Sequence, residues 1–361
     1  MTPPTRVAVV GAGHMGRHHA RIYHEMPQAR LCAVVDVDAQ RACEIAERHG
    51  AAALDSLDAL PPDIEAASVA VPTIHHVAVA EALLNRGVHV LVEKPLAPDA
   101  AAAERLVAAA RRAGRVLTVG HTERFNPVVR ALQQLAVAPR FIETTRISPF
   151  SFRSADIGVV ADMMIHDIDI VLNLVRAPWS RVDAVGVNVL VRHEDIANAR
   201  VQFVNGCVAN LTASRLALKT ERKIRVFSET AYLSLDYQRR SGIAITKDGN
   251  LDLLEMARAG RFEDLSQMQA VDFGKLVRVQ PLTVDDVEPL RAELEAFLSA
   301  VRGEGPPAVT AEDGLAAVRL AEDVVQAIRR HAWPSPAAAA GRDQNGGSVS
   351  SSGSASAGGG S

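Results

Sequence analysis

An aspartate and a histidine four residues apart, Asp162 and His166, form the pattern in this chain best suited to acid–base chemistry. If the segment 162–176 is a helix, the two side chains lie on one face, one turn apart. A carboxylate in this position would raise the basicity of the imidazole and fix its orientation, as general acid–base catalysis requires. Asp169 and Asn173 continue the face among apolar residues, where polar groups are costly unless they line a site.

Two other interpretations of this segment stay open. The first is a surface helix whose polar stripe faces water. The second is a metal site, because H-x-x-D and D-x-x-x-H spacings can hold zinc. No Cys or third His lies at a fitting distance in the sequence, so the metal interpretation has little support.

A lysine, Lys94, follows the apolar run 88–92 and stands between Glu93 and Pro95. Because proline restricts the backbone here, a strand ending at this point would aim the ammonium group into a cleft. Ligands of parallel sheets bind beyond the carboxyl ends of the strands, so Lys94 is predicted to face a ligand. The alternative is a solvated lysine in a turn.

The element that positions these groups begins with the apolar run 7–10, which three glycines follow at G-x-G-x-x-G spacing. Gly11 allows a tight turn, Gly13 lets a pyrophosphate approach the backbone, and Gly16 allows the next helix to pack closely on the strand. The N–H groups and dipole of that helix would then bind the anion. The pattern predicts a dinucleotide site, since a strand precedes it and a helix follows.

An acid ends the second apolar run: Asp36 follows residues 31–35 and lies twenty residues beyond Gly16. Such an acid would hydrogen-bond a ribose 2′-hydroxyl and repel a 2′-phosphate, which favours NAD over NADP. Arg41 lies nearby in the sequence and could soften that preference.

Residues 5–120 alternate apolar runs with helical patterns, which predicts a parallel sheet with helices on both faces. The expected strand ends, where a ligand would bind, carry Gly11, Asp36, Pro72, Lys94 and His121. The segment after the last strand also contains Arg124 and Asn126, which could hydrogen-bond substrate hydroxyls or only shape a crossover. His75 and His76 are expected to start a helix at the cofactor edge, and His14, His18 and His19 to lie on a helix surface.

From about residue 140 the pattern changes to short strands, with a two-residue hairpin turn at Asn205-Gly206. One helix is expected over 162–176, and two more over 284–302 and 311–330. The sequence therefore predicts an α/β fold with a Rossmann dinucleotide-binding domain and an α+β domain containing a large, mostly antiparallel open sheet. The predicted bounds are 1–122 for the first domain, 123–333 for the second and 334–361 for a disordered Ala/Gly/Ser-rich tail.

Composition narrows the class of protein. A chain of 361 residues suits two domains, and its 48% hydrophobic and 22% charged residues are typical of globular proteins. The net charge of −3 gives no reason to expect nucleic acid or anionic membrane as partners. Three cysteines without a C-x-x-C pair, an apolar strand starting near the N-terminus and no membrane-length apolar run predict a cytoplasmic protein. The uncovered face of the second sheet predicts a homodimer or homotetramer.

With these motifs in hand, residues 5–330 resemble the Gfo/Idh/MocA (glucose–fructose oxidoreductase/inositol dehydrogenase) family. The resemblance rests on V-V-G-A-G-H-M-G with Asp36, V-P-T-I-H ahead of V-E-K-P, G-H-T-E-R-F-N-P, and D-M-M-I-H-D-I-D. It implies a catalytic triad of Lys94, Asp162 and His166. Many relatives have glycine two residues after this aspartate, where the chain has Met164, so the helix start and pocket width are expected to differ.

The remaining site predictions follow from the motifs and this resemblance together. The predicted cofactor-binding residues are Gly11, Gly13, His14, Met15, Gly16, Asp36, Pro72, Thr73, His76, Glu93 and Lys94. The predicted substrate-binding residues are His121, Arg124, Asn126, Arg153, Asp162 and His166, and no metal is expected.

Within the family, the runs around 153–174, 193–200 and 205–215 are most similar to nucleotide-sugar 3-dehydrogenases. This implies NAD-dependent oxidation of C3 of UDP-N-acetylglucosamine, for amination on the way to a diamino lipid A. A diphosphate needs cations and uracil a flat group; the candidates are Arg153, Arg215, Lys219, Arg222 and Lys223, with Phe150 or Phe152. An inositol or monosaccharide dehydrogenase and a non-catalytic NAD-binding regulator or scaffold remain the alternatives.

Overall fold

Two β-sheets form the framework of the chain. The computed structural model describes residues 3–135, 137–151, 157–247, 277–282 and 284–331. The first sheet has six parallel strands in the order β3-β2-β1-β4-β5-β6. They are β1 (Thr5–Val10), β2 (Ala29–Val35), β3 (Ala52–Leu54), β4 (Ala66–Val69), β5 (His89–Glu93) and β6 (Leu117–Gly120).

Four helices alternate with these strands: α1 (His14–Glu25), α2 (Ala39–His49), α3 (His76–Asn85) and α4 (Ala100–Ala113). Local capping explains the bounds of two of them. Asp38 and Asp99 accept hydrogen bonds from backbone N–H groups in the first turns of α2 and α4, and the left-handed Gly50 and Gly114 end the same helices. These residues therefore fix where the two helices begin and end.

The strands of the first sheet are apolar throughout because both faces are covered. In β1, Val7 and Val9 pack on the side of α1, whereas Ala8 and Val10 pack on the side of α3 and α4. All four side chains are buried. This arrangement leaves the carboxyl edge of the sheet as the place where ligands can approach.

The second sheet has eight strands in the order β14-β13-β12-β11-β7-β10-β9-β8. Its neighbouring strands are antiparallel except for the parallel pair β7 and β10. The strands are β7 (Phe141–Ile147), β8 (Trp179–Val187), β9 (Ile196–Phe203), β10 (Val208–Ser214), β11 (Glu221–Phe227), β12 (Ala231–Asp236), β13 (Ser241–Lys247) and β14 (Val277–Pro281). Alternating burial along β7 and β9 shows that one face is covered and the other open.

Four more helices complete the fold: α5 (Pro127–Gln134), α6 (Ile165–Val175), α7 (Pro289–Val301) and α8 (Ala311–Arg330). Helices α5, α6 and α8 supply the core that covers one face of the second sheet. Helix α7 packs on α1, and α8 contacts α4 as well as α6 and β8. The C-terminal helices therefore hold the two sheets in one arrangement.

The predicted fold class is confirmed, with some element-level corrections. Strand β3 and helix α5 were not predicted, and the helix expected over 284–302 begins only at Pro289. The segment expected to be helical from Asp162 starts as a π-helix, Val160–Met164, before α6. The domain bounds at 122 and 333 stay predictions, and the tail 334–361 lies outside the described residues.

Among the residues that the structure describes, no helix has the length and apolar character needed to cross a bilayer.

Candidate active site

A cleft of about 1140 Å³ lies where the carboxyl edge of the first sheet meets the second sheet. This volume exceeds the roughly 300–1,000 Å³ of pockets for single small ligands, so the cleft has room for a dinucleotide and a second molecule. Its walls contain residues from the glycine turn, from the ends of β2, β4, β5 and β6, and from β7, β11 and the start of α6.

The glycine turn has the geometry that anion binding requires. Gly11 has φ +98°, and a Cβ there would lie 2.6 Å from the backbone of Ala70. A Cβ on Gly16 would lie 1.7 Å from the carbonyl oxygen of Gly11, so this glycine serves close packing. Gly16 is not part of the cleft lining, and its assignment as a cofactor-binding residue stays a prediction. A Cβ on Gly13 would meet nothing within 4 Å.

Helix α1 begins just after Gly13 without a side-chain cap. Its first N–H groups are therefore available to an anion in the space beside Gly13. His14 and Met15 also line the cleft, together with Pro72, Thr73 and His76 from the loop after β4. The structure brings these predicted cofactor residues together along one wall, so the fit to a dinucleotide rests on observed geometry.

The acid at the end of β2 is held in place by backbone donors. The Asp36 carboxylate accepts hydrogen bonds from the N–H groups of Ala12 (2.7 Å) and Asp38 (2.9 Å) and lines the cleft. Arg41 also lines the cleft, with its guanidinium 3.0 Å from the Asp38 carboxylate. A negative group therefore stands where a ribose would lie, with a cation close by.

Lys94 joins the two halves of the cleft. Its ammonium donates to the backbone carbonyl of Asp162 (2.6 Å) and lies 3.2 Å from the Asp162 carboxylate. The turn beyond it, with a cis Lys94–Pro95 peptide, is tied down by His76, whose ring nitrogens lie 2.8 Å from the Pro95 carbonyl and 2.9 Å from that of Val71. His76 therefore positions this turn as well as lining the cleft.

His166 lines the cleft from α6, but its environment differs from the predicted one. No hydrogen bond joins it to Asp162 within the described part of the chain, and its Nδ1 is buried without a partner there. Burial, with the nearby charges of Lys94 and Arg146, lowers the pKa of His166 well below its ordinary value. The expected contact between Asp162 and His166 is thereby corrected: the Asp162 carboxylate, in the π-helical turn, lies beside Lys94 instead.

Asp169 does not line the cleft, which corrects a second prediction. Its carboxylate accepts two hydrogen bonds from the buried guanidinium of Arg124, at 2.7 and 2.8 Å, and Asp313 lies 3.2 Å from the same arginine. Arg124 is thereby committed to an ion-pair network instead of a substrate. His121 is buried beside it and also outside the lining, and burial lowers its pKa.

Asn126 lines the cleft, and its side chain also caps α5 and donates to Glu123. Arg153 and Phe152 lie outside the described residues. The structure supports neither a surface helix nor a metal site at α6. Asp169 is buried, so the polar face of α6 is not a solvated stripe. No three His, Cys, Asp or Glu side chains in the described ranges are grouped to hold a metal ion.

Two buried carboxyl groups, those of Glu93 and Glu293, lie behind Lys94, and the sequence did not predict this pair. His19, expected on the helix surface, is fully buried, with Nε2 2.8 Å from the carboxylate of Glu93. Glu293 of α7 is buried nearby and accepts from the Thr122 hydroxyl at 3.0 Å. The burial of His19 could have been predicted from helical spacing, since it shares the buried face of α1 with Gly16, Ala20 and Tyr23.

We expect Glu293→Gln to stabilise the protein at alkaline pH. Burial, and then the charge of Glu93, raises the pKa of Glu293 well above its ordinary 4.5. The folded state therefore keeps a proton that the unfolded state releases, and stability falls as pH rises from the unfolded to the folded pKa. Glutamine cannot ionise, so the variant should melt higher than the parent at about pH 8 and equally near about pH 4.

Thermal melting of this variant beside Glu295→Gln, on the same helix but partly exposed, provides the control. An equal response of the two variants to pH would contradict the assignment of a protonated Glu293.

At the other side of the cleft lies a charged cluster with two arginines. The buried Arg146 donates to both oxygens of Asp167, at 2.9 and 3.1 Å, and to Glu123 at 2.9 Å. Arg222 lies 3.5 Å from the same oxygen of Glu123. Although burial opposes ionisation, the two arginines lower the pKa of Glu123.

Two other sequence candidates for binding a diphosphate lie elsewhere. Arg215 is buried against Asp195 at 2.7 Å and donates to the Ile157 carbonyl. Lys223 pairs with Glu221 at 2.9 Å. Of the five basic candidates, Arg222 is the one that the cleft lining contains among the described residues.

Two family models match the chain. Residues 5–121 match the GFO/IDH/MocA oxidoreductase family with an NAD-binding Rossmann fold, and residues 141–234 match the GFO/IDH/MocA C-terminal domain. Together they cover more than half of the sequence, including the whole first sheet and the second sheet from β7 into β12.

Individual proteins match over nearly the whole length. UDP-N-acetylglucosamine 3-dehydrogenase from Acidithiobacillus ferrooxidans is 36% identical over 310 residues, 83% of this chain and 90% of that protein. A solved structure of that enzyme has a TM-score of 0.79 and covers 90% of this chain and 98% of its own. Inositol 2-dehydrogenase from Rubrobacter xylanophilus is 30% identical over 339 residues, 90% of each chain. Levoglucosan dehydrogenase with NADH shares the fold at 19% identity, with a TM-score of 0.76 over 91% of this chain and 97% of that structure.

Proposed function

Because this chain belongs to the Gfo/Idh/MocA family and is an oxidoreductase acting on CH–OH groups, we propose that it oxidises C3 of UDP-N-acetylglucosamine to the 3-keto sugar with NAD. The observation that carries the proposal is the contact between Lys94 and Asp162. It joins the cleft wall lined by the predicted cofactor residues (the dinucleotide wall) to the helical segment that contains His166. The enzyme from A. ferrooxidans, 36% identical over 90% of its own length, supports the substrate.

The chemistry divides among three side chains. His166 accepts the proton of the sugar hydroxyl, because its lowered pKa keeps the imidazole neutral. The Lys94 ammonium stabilises the alkoxide as it forms. Asp162 holds that ammonium in place and so acts on Lys94 instead of on His166. A bound NAD would supply the hydride acceptor for C3, so that the alcohol becomes a ketone while its hydroxyl proton stays on His166.

The cofactor assignment rests on two features of the cleft wall. The open space at Gly13 beside the uncapped start of α1 suits a pyrophosphate. The Asp36 carboxylate suits a ribose 2′-hydroxyl and repels a 2′-phosphate, which favours NAD; the nearby Arg41 keeps some use of NADP within reach. The ratio of kcat/KM for the two cofactors measures this preference.

We expect Gly13→Ala to weaken NAD binding about tenfold or more while leaving the fold intact. The added methyl group meets no protein atom within 4 Å but occupies the space proposed for the pyrophosphate. The dissociation constant for NAD, together with the melting temperature, measures both effects. In contrast, Gly16→Ala should destabilise the protein because its Cβ would clash with Gly11. Unchanged NAD affinity in Gly13→Ala would refute the placement of the pyrophosphate.

The proposed reaction is tested by following NADH formation with UDP-N-acetylglucosamine, myo-inositol and glucose. An aminotransferase with its amino donor should be added, since removal of the keto sugar pulls the reaction forward. The highest kcat/KM with UDP-N-acetylglucosamine is the expected result. The inositol 2-dehydrogenase at 30% identity makes a cyclitol the second candidate, and a higher kcat/KM with myo-inositol would select it.

We further propose that the enzyme is a cytoplasmic homodimer or homotetramer whose product feeds the synthesis of a diamino lipid A. The open face of the second sheet supports self-association, because Ile243 is 41% exposed there. The cysteines Cys32, Cys43 and Cys207 are unpaired, which fits a reducing compartment. Light scattering at several concentrations tests the oligomeric state.

A further inference from the structure

We propose that Arg222, with Arg146 behind it, forms a subsite for a phosphoryl group of the substrate. This inference rests on the proposed function, since it assigns the part of the cleft that would hold the diphosphate of a nucleotide sugar.

The two arginines face each other across neighbouring strands. Arg222 of β11 is directly opposite Arg146 of β7 in the antiparallel register. Like charges in this position repel and destabilise a sheet unless negative groups compensate them. Ile224 and Val226, two and four residues after Arg222, are buried, so strand alternation puts Arg222 on the helix-covered face, which opens into the cleft at this end of the strand.

Compensation within the protein is unequal. Arg146 is buried and makes three hydrogen bonds to two carboxylates. Among the residues that the structure describes, the Arg222 guanidinium has only the Glu123 oxygen that already accepts from Arg146, and that contact is 3.5 Å long. A guanidinium carries five N–H donors, and the Arg222 side chain is 45% exposed at the cleft. Most of its donors are therefore available to a ligand.

The neighbouring basic residues on β11 do not share this position. Lys223 and Arg225 alternate onto the open face, where they pair with Glu221 and Glu143. Lys94 is a further cation in the described cleft lining, and Asp162 engages it. The ligand that matches Arg222 is a phosphate ester or diphosphate, whose oxygens accept two parallel hydrogen bonds from a guanidinium. The hydroxyl of Ser151, in the same lining, adds a neutral donor.

The position of Arg222 assigns the binding of the substrate and its oxidation to different residues of the same cleft. Arg222 lies close enough to His166 for its charge to lower the pKa of that imidazole, so both belong to one compartment of the cleft. A phosphoryl group held by Arg222 would orient the attached sugar toward His166 and Lys94. A neutral polyol would leave Arg222 without a ligand, so the subsite selects phosphorylated sugars.

The test compares Arg222→Gln and Arg222→Ala with Lys223→Gln, a neighbour on the opposite face. Titration calorimetry with UDP, on enzyme saturated with NADH, gives a binding constant that does not depend on turnover. We expect both Arg222 variants to raise the Kd for UDP and the KM for UDP-N-acetylglucosamine about tenfold or more, as loss of a charged hydrogen bond implies. Their kcat should fall less than their kcat/KM, because Arg222 would bind the phosphoryl group and not the reacting carbon, and Lys223→Gln should resemble the parent.

The outcomes separate this inference from the proposed function. If the parent oxidises UDP-N-acetylglucosamine but the Arg222 variants bind UDP as Lys223→Gln does, the subsite is wrong and the reaction stands. If the parent prefers a different sugar phosphate and the Arg222 variants bind that compound more weakly, the subsite stands and the proposed substrate is wrong. Oxidation of neutral polyols alone, without UDP binding, would overturn both. NAD affinity and melting temperature confirm that each variant is folded.

Discussion

Replacing Lys94 by methionine is expected to lower kcat about 10²- to 10³-fold while NAD still binds. The ammonium is the cation placed at the junction of the dinucleotide wall and α6, where an alkoxide would form. A preorganised charge at a developing oxyanion is worth about this factor. Methionine keeps an unbranched side chain, one atom shorter, and removes the ammonium charge together with its hydrogen bonds. Steady-state kinetics with UDP-N-acetylglucosamine, with NAD affinity from fluorescence, measures the two effects separately.

A structural role for Lys94 would give a different pattern, because its ammonium also binds the Asp162 carbonyl. Asp162→Asn keeps that carbonyl and removes only the charge of the carboxylate. If Lys94 serves only to hold α6, Lys94→Met should lower the melting temperature and raise KM with little loss in kcat. Lys219→Met, which changes a lysine outside the cleft lining, is the matched control. An unchanged kcat in Lys94→Met would remove Lys94 from the mechanism.

The dinucleotide wall could be read from the sequence because its features are local. The turn at Gly11 requires a positive φ, and Gly16 must lie against it; both demands follow from a strand that turns directly into a helix. Asp36 ends β2 at the same edge for the same reason. Each of these constraints spans few residues, so spacing alone carries them.

The catalytic half could be predicted only in part, because its contacts are distant in sequence. The spacing of Asp162 and His166 predicts adjacent side chains on an α-helix, but the π-helical turn, in which hydrogen bonds skip one residue more, changes their relative direction. The partner of Asp162 is Lys94, 68 residues away. Similarly, Arg124 binds Asp169, 45 residues away, and no local pattern indicates that pair.

The buried acid Glu293 shows a different limit. It shares the apolar spacing of Leu290, Leu294 and Phe297, so its burial in α7 could be read from helical periodicity. What periodicity cannot give is the neighbour, since Thr122 reaches it from the far end of β6. The same limit applies to neighbouring strands. Arg146 and Arg222 are directly opposite each other because of the strand register, and the sequence does not reveal that register.

Replacing His166 by asparagine is expected to lower kcat about 10²- to 10⁴-fold, the range for loss of a general base. The side chain lines the cleft near Lys94, and asparagine keeps a polar group of similar size without a basic nitrogen. NAD affinity should be unchanged, because the dinucleotide wall belongs to the first sheet. Activity within a fewfold of the parent would show that another group accepts the proton.

The pH profile distinguishes a base in this cleft from a merely positioned imidazole. Burial first, and then the charges of Lys94 and Arg146, lowers the pKa of His166. The neutral, proton-accepting form therefore persists into acid, and the acid limb of kcat/KM should fall well below pH 6.5, the ordinary value. In Lys94→Met one of these cations is absent, so the pKa should rise and the limb should move to higher pH. Because kcat/KM reports ionisations of the free enzyme, a limb at the same pH in both proteins would mean that His166 is not the titrating base.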